Sequence, residues 1–204
     1  MNRSQIGAVI LAAGTSSRMG KPKQLLRLGN ITLLGRVLAT LRAARLDEVV
    51  LVLGHDANAI EGSIEQRDLK IVINERYRDG MASSLAAGLA ALSSQIAAAF
   101  IVLADQPFVR PDTLDHLITN YESTSAPIVM PTHHGVRGNP VLLDRSIFEE
   151  VMMLKGDVGA RAIFANHTDE IQKVAVDDPG ILLDFDNQED WEKFQKHPND
   201  NSED

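Results

Sequence analysis

The chain has 204 residues, 44% of them hydrophobic and 24% charged, which is the length and balance of one α/β domain with ample core. Its formal net charge of −8 argues against nonspecific binding to nucleic acid or to an anionic membrane, since both need a basic face. There is no cysteine, so disulfides, thiolate metal sites and cysteine nucleophiles are excluded.

Taken in chain order, strand-like runs alternate with helical periodicity. Residues 6–12 read as an apolar strand that breaks into a loop carrying Gly14, Ser16, Ser17 and Gly20. Residues 32–45 read as a helix with Leu33, Leu34, Val37, Leu38 and Leu41 on one face. A strand at 49–53 follows. Asp56 is placed to cap a helix through Ile64, and residues 69–73 give the next strand. Ser83 is expected to cap a helix through Leu92. Residues 98–103 form a strand, and Pro111 suits the first turn of a helix through Tyr121. After a strand at 128–130 the pattern loosens. A loop at 133–138 precedes a short strand at 140–143, and Asp144 caps a helix to Leu154. Residues 158–166 read as a helix, 171–176 and 181–185 as short strands, and 189–195 as a closing helix. The polar stretch 197–204 is expected to be a disordered acidic tail, leaving residues 1–196 as the domain. This alternation predicts an α/β fold: one doubly wound, mostly parallel sheet, with ligands at the carboxyl ends of the strands. No apolar run of about 18 residues and no leader-like N-terminus is seen, so a cytoplasmic location is expected.

The first loop is the most informative stretch. A buried parallel strand ending in small residues is a place for phosphate, because glycine lets backbone N–H groups approach its oxygens. Three cations, Arg18, Lys21 and Lys23, follow within six residues of an otherwise acidic chain. The loop is not a Walker loop, since Gly14 and Gly20 enclose five residues and Pro22 stands where a magnesium-binding Ser or Thr would be. A dinucleotide G-x-G-x-x-G is absent as well.

Leu11-Ala-Ala-Gly-x-Ser-Ser-Arg-Met-Gly-x-Pro-Lys23 resembles the signature of nucleotidyltransferases of the molybdenum-cofactor branch. Further blocks follow in that family's order: Gly80-Met-Ala-Ser-Ser-Leu85 with Gly88-Leu89, Leu103-Ala-Asp-Gln-Pro107, Arg137-Gly-Asn-Pro-Val-Leu142, Gly156-Asp-Val-Gly-Ala-Arg161 and Asp184-Phe-Asp-x-x-Glu-Asp190. The resemblance implies a Rossmann-like nucleotidyltransferase fold and a magnesium-dependent transfer of a nucleoside monophosphate to a phosphorylated acceptor, with release of pyrophosphate. Ala12-Ala13 is similar to the cytidylyl-transferring members, where guanylyl-transferring ones carry Gly-Gly. CTP is therefore the implied donor and molybdopterin the implied acceptor, serving enzymes of the xanthine-dehydrogenase type. The chain is also similar to a purine-catabolism accessory protein of such enzymes, which would make a molybdenum hydroxylase or its maturation chaperone a partner.

The chemistry assigns roles. Holding a triphosphate and stabilising the leaving pyrophosphate is work for cations, and Arg18 and Lys23 are the candidates. By resemblance the arginine contacts the leaving phosphates and the lysine lies beside the α-phosphate. Leu11, Ala12, Ala13 and Gly14 would border the nucleotide, and the alanine methyls would narrow the slot beneath the base toward a pyrimidine. Ser83 and Ser84 are candidates for the base or ribose, with Asn74 behind them. Asp105, following a strand, projects a carboxylate into the ligand crevice and suits magnesium, which takes one or two carboxylates plus phosphate oxygens and water. Asp186 is the expected second ligand. Asp184 shares its strand face, and Asp157 is an alternative that would otherwise cap a helix. The acceptor side resembles Arg137, Gly138, Asn139, Pro140 and Asp184, with Asn139 where the cytidylyl branch often has histidine. His133 and His134 are expected to be exposed, and Trp191 with Phe194 to serve packing. Two rival readings stand beside this one: a nucleotidyltransferase acting on a sugar phosphate or other small phosphate, and a noncatalytic cofactor carrier. Arg18, Lys23 and Asp105 weigh against the carrier, which needs no pyrophosphate or metal ligands.

Overall fold

Gln5–Ala12 (β1) runs buried through the middle of an eight-stranded sheet. The structure is a computed structural model that describes residues 3–14 and 22–185. Arg18, Lys21, Asp186, Trp191, Phe194, the closing helix and the tail therefore lie outside the described residues. After β1 come a two-stranded hairpin, Arg27–Leu28 (β2) with Ile31–Thr32 (β3), and the helix Leu33–Ala43 (α1). The Thr32 side chain accepts from Gly35 N at 3.0 Å and caps α1. Then follow Glu48–Leu53 (β4), Ala57–Glu61 (α2), Lys70–Ile73 (β5), Met81–Ala91 (α3), Ile96–Leu103 (β6) and Pro111–Thr124 (α4). The last third holds Ile128–His133 (β7), Val136–Arg137 (β8), Val141–Asp144 (β9), Phe148–Met152 (α5) and Ile171–Ala175 (β10).

The sheet order is β10-β7-β9-β6-β1-β4-β5, with β8 paired to β7. β1 pairs in parallel with both β4 and β6, while β9 is antiparallel to β6 and β7. Strands covered on both faces need apolar residues at every position, which is why β1, β4 and β6 read as continuous apolar runs. Alternation divides β1 between two cores. Ile6, Ala8, Ile10 and Ala12 pack with α1 and α4, whereas Val9 and Ala13 pack with α3 and α5. Gly88 lets α3 lie directly on the sheet, since an added Cβ there would stand 2.2 Å from Val9 Cγ1. Among the described residues no helix is long and apolar enough to cross a membrane.

Five local expectations are corrected. α3 begins at Met81, because Gly80 at φ 100° ends the preceding turn, so Ser83 is not its cap. Asp56 sits in the left-handed region without a capping bond, and α2 ends at Glu61. Residues 158–166 form only a short 3-10 turn at Ala160–Ile163, too short to sustain an α-helix. Residues 181–185 are not a strand: the Asp178 side chain accepts from Gly180 N at 3.0 Å and caps the 3-10 turn Pro179–Leu182. His133 ends β7 and is buried, its Nδ1 3.1 Å from Val176 O.

Candidate active site

The sheet order changes direction around β1. β4 and β5 lie to one side, and β6, reached by a crossover, lies to the other. Loops leaving such a pair diverge and open a crevice at the carboxyl ends of the strands. Two adjoining cavities occupy it. The first, about 630 Å³, is walled by Ala13, Gly14, Lys23, Gln24, Ser84 and Asp105. The second, about 600 Å³, is walled by Arg137, Asn139, Arg161, Phe164, Val141 and Leu182. Leu11, Met81, Leu103, Asp157 and Asp184 border both, so the cavities meet over the ends of β1 and β6.

In the first cavity, the Lys23 ammonium is hydrogen-bonded to the Asp105 carboxylate, both side chains being largely covered. Lys23 opens a short 3-10 turn, Lys23–Leu25, and Asp105 stands in the turn two residues after β6. Gln24, 2% exposed, donates from Nε2 to Ala12 O at 3.2 Å and fastens that turn to the end of β1. Sequence reasoning passed over Gln24; its signal was a polar residue set directly before Leu25 and Leu26 at the end of the cationic loop. Ala13 and Gly14 line the cavity, but Ala12 does not. Its methyl points to the opposite face of the sheet, 1% exposed, in the core with α1 and α4. The expectation that both alanines border one slot is corrected by strand alternation. Ser84 lines the cavity and Ser83 does not. Asn74 is buried beneath both serines and donates from Nδ2 to Ser83 Oγ at 2.9 Å and to Ser84 Oγ at 3.0 Å.

In the second cavity, the Arg137 guanidinium lies 5.5 Å from the centre of the Phe164 ring. Neither Arg137 nor Arg161 has a carboxylate partner among the described residues. Gly138 packs against the 181–185 segment, where a Cβ would stand 2.5 Å from Ile181 O, and Asn139 N donates to Ile181 O at 3.0 Å. Pro140 turns away. It lines a small cavity with Val37, Leu41 and Leu114 on the far face of the sheet, so its placement with the acceptor residues is corrected.

Asp157 accepts from Met81 N at 3.3 Å, and so meets the first turn of α3 from another part of the chain. Among the described residues no group of three His, Asp or Glu side chains is close enough to hold a metal ion by itself. Asp105, Asp157 and Asp184 nevertheless all wall the first cavity. One or two of these carboxylates, completed by phosphate oxygens and water, is the donor set a hard divalent cation takes.

Comparison with known proteins bears on the family and the fold. A model of the MobA-like NTP transferase domain matches residues 8–171. The nicotine blue oxidoreductase of Paenarthrobacter nicotinovorans is 32% identical over 76% of this chain and 79% of its own length. The molybdenum cofactor cytidylyltransferase of Escherichia coli K12 is 25% identical over 92% of this chain and 94% of its own. Among solved structures, Rv0371c from Mycobacterium tuberculosis H37Rv superposes with a TM-score of 0.87 at 32% identity, covering 96% of this chain and all of that one. The same protein has been crystallised with manganese, and that structure matches with a TM-score of 0.80 at 30% identity over 94% and 98% of the two chains.

Proposed function

From the premise that the chain belongs to the MobA-like NTP transferase domain family, we propose that it transfers a nucleoside monophosphate from CTP to a phosphorylated acceptor of the molybdopterin type. The observation that carries this reading is the pair of cavities meeting over β1 and β6, one walled by Lys23 and Asp105, the other by two arginines that have no carboxylate partner among the described residues. A transfer between two phosphorylated ligands needs such an arrangement: donor and acceptor side by side, with cations at both ends.

In this reading an oxygen of the acceptor phosphate attacks the α-phosphorus. A new P–O bond forms, the bond to the β-phosphate oxygen breaks, and pyrophosphate leaves with its electron pair. No covalent enzyme intermediate is needed, so positioning and electrostatics supply the rate. Lys23 holds its ammonium beside the α-phosphate, and Arg18 serves the leaving phosphates. Ala13 and Gly14 border the base. Arg137 and Arg161 hold the acceptor anion, with Gly138 and Asn139 shaping its floor. A divalent cation, magnesium or manganese, supplies neutralisation of the phosphate charge; Asp105 would hold it together with Asp184 or Asp186. The identity to the E. coli cytidylyltransferase supports the choice of donor and acceptor, and the manganese complex of a relative supports the cation. By the same reasoning the product serves a molybdenum hydroxylase in the cytoplasm.

Calorimetric titration of CTP and of GTP, each with and without magnesium, tests the donor and cation. Tighter binding of CTP, dependent on the ion, is expected; equal binding of GTP would overturn the cytidylyl assignment. A second reading, an oxidoreductase on the same fold, takes its support from the higher identity to the Paenarthrobacter relative. Pyrophosphate release with CTP and molybdopterin favours transfer. Consumption of reduced nicotinamide dinucleotide without pyrophosphate release would favour the redox reading.

A further inference from the structure

The hydrogen-bond polarity around Asn74 is fixed by the backbone. Arg76 N donates to Asn74 Oδ1 at 3.0 Å. A backbone N–H can only donate, so the amide oxygen must face Arg76 and the NH₂ group must face the two serines; the flipped amide would set donor against donor. Each serine oxygen therefore accepts one proton from Asn74. The two hydroxyl protons then part ways. Ser83 Oγ stands 2.9 Å from Arg76 O and 2.8 Å from Gly80 O, so its proton is taken by the backbone. Ser84 Oγ donates to nothing among the described residues, and Ser84, a residue 4% exposed, lines the first cavity.

We infer that Ser84 serves as a hydrogen-bond donor that reads an acceptor atom of the nucleotide, and that Asn74 is the positioning residue that turns the Ser84 proton toward the cavity without touching the ligand. The inference rests on the nucleotidyltransferase reading of the cavity. The acceptor atom belongs either to the base, through a ring nitrogen or carbonyl, or to the ribose 2′-oxygen. A serine hydroxyl has one proton and two lone pairs; with one lone pair taken by the buried amide, the proton is turned away from Asn74, and leaving that proton unmet costs affinity.

Titration of CTP with manganese into wild type, Ser84→Ala, Asn74→Asp and the double variant tests this, with a melting curve for each. Ser84→Ala suits a helix and is expected to fold and to weaken CTP about tenfold. Asn74→Asp keeps the acceptor for Arg76 N but cannot donate, so Ser84 turns its proton to the carboxylate, and a similar loss is expected with melting temperature little changed. Once Ser84 is alanine, adding Asn74→Asp should cost nothing more, whereas a purely structural or charge effect of Asn74→Asp would add in full. Repeating the set with 2′-deoxy-CTP locates the partner. Equal loss for both nucleotides assigns the base, and loss confined to CTP assigns the 2′-oxygen. Wild-type affinity in Ser84→Ala overturns the inference whatever Asn74→Asp does, and additive losses overturn the role of Asn74. A wild type that binds neither CTP nor GTP overturns the nucleotidyltransferase reading and this one with it.

Discussion

Lys23 and Asp105 neutralise each other on the wall of the first cavity, and each is held there by an element end rather than by the core. Both side chains wall the cavity and belong to none of the hydrophobic cores, so the fold does not depend on their packing. In the proposed transfer their worth lies in the charge each presents to phosphate. Asp105→Asn keeps the shape and removes the charge. It is expected to lower turnover at least tenfold, a loss of about 1.4 kcal/mol or more from the transition state. Its melting temperature should stay near wild type, so activity and melting measured on the same preparation check the claim; a variant that stays active sinks it. Ala12 and Ala13 separate in the same way. Their identities were legible in the sequence, but the face each presents was not, because a motif gives residue order and the pleat gives direction. Ala13→Gly should erode a preference for CTP over GTP of about 10²-fold, roughly 2.7 kcal/mol, by widening the cavity. Ala12→Gly should leave the preference intact and cost about 1–2 kcal/mol of stability, from a lost buried methyl and a freer unfolded backbone. Competition kinetics and melting curves on the two single variants decide between these roles. An unchanged preference in Ala13→Gly would move selectivity to the start of α3.

At the level of elements, the segment behind the second cavity is tied to α5 by a titrating group. His167 places Nε2 2.6 Å from Glu150 Oε2 and Nδ1 2.6 Å from Glu170 Oε2, and Asn166 also donates to Glu150. The hydrogen bonds to Glu150 and then Glu170 raise the imidazole pKa above its ordinary value, and those from Asn166 and His167 hold the Glu150 carboxyl below its own. The sign follows. A histidine raised in the folded state contributes stability that is fully present below about pH 6.5 and is lost as pH rises through the folded pKa. The melting temperature of wild type should therefore fall relative to His167→Gln between pH 6 and pH 9, and parallel profiles would refute the clamp. This contact, like the 3-10 turn at Ala160–Ile163, was not legible in the sequence. Residues 158–166 carry helical spacing, but Gly156 and Gly159 and the demands of the cavity wall leave too few residues to sustain a helix. The central strands and long helices were legible, because a strand covered on both faces and an amphipathic helix each impose a period on the sequence.

Over the whole molecule, the crevice is assembled from segments as distant as Leu11, Met81, Leu103, Asp157 and Asp184, all of which border both cavities. That assembly depends on close approach between α3 and the Gly156–Asp157 backbone. The order of the motifs pointed to the loops that line the crevice, but not to the contact between two of them, since contact across 76 residues leaves no periodicity in the chain. Gly80 is the point of contact. It stands at φ 100°, where L side chains are rarely found, and an added Cβ would lie 2.3 Å from both Gly156 C and Gly156 O and 2.5 Å from Asp157 N. The obstruction is backbone on both sides, so no rotamer relieves it. Gly80→Ala is therefore expected to cost about 1–3 kcal/mol in strain alone, and to push Asp157 away from Met81 N, the bond that meets the first turn of α3. For a domain of this size each kcal/mol lowers the melting temperature by about 2–4 °C. Because the displaced loop also carries Arg161, the variant should lose affinity for the acceptor as well as for CTP, unlike Ala13→Gly, which acts on the nucleotide side alone. CTP at a hundred times its dissociation constant adds about 2.7 kcal/mol to whichever form binds it. Wild type should show this full upward shift in melting temperature, and Gly80→Ala a smaller one at the same concentration. Melting curves with and without CTP and manganese measure both quantities. A Gly80→Ala variant with wild-type melting and a wild-type shift would mean that α3 and the 156–161 loop are not braced against each other.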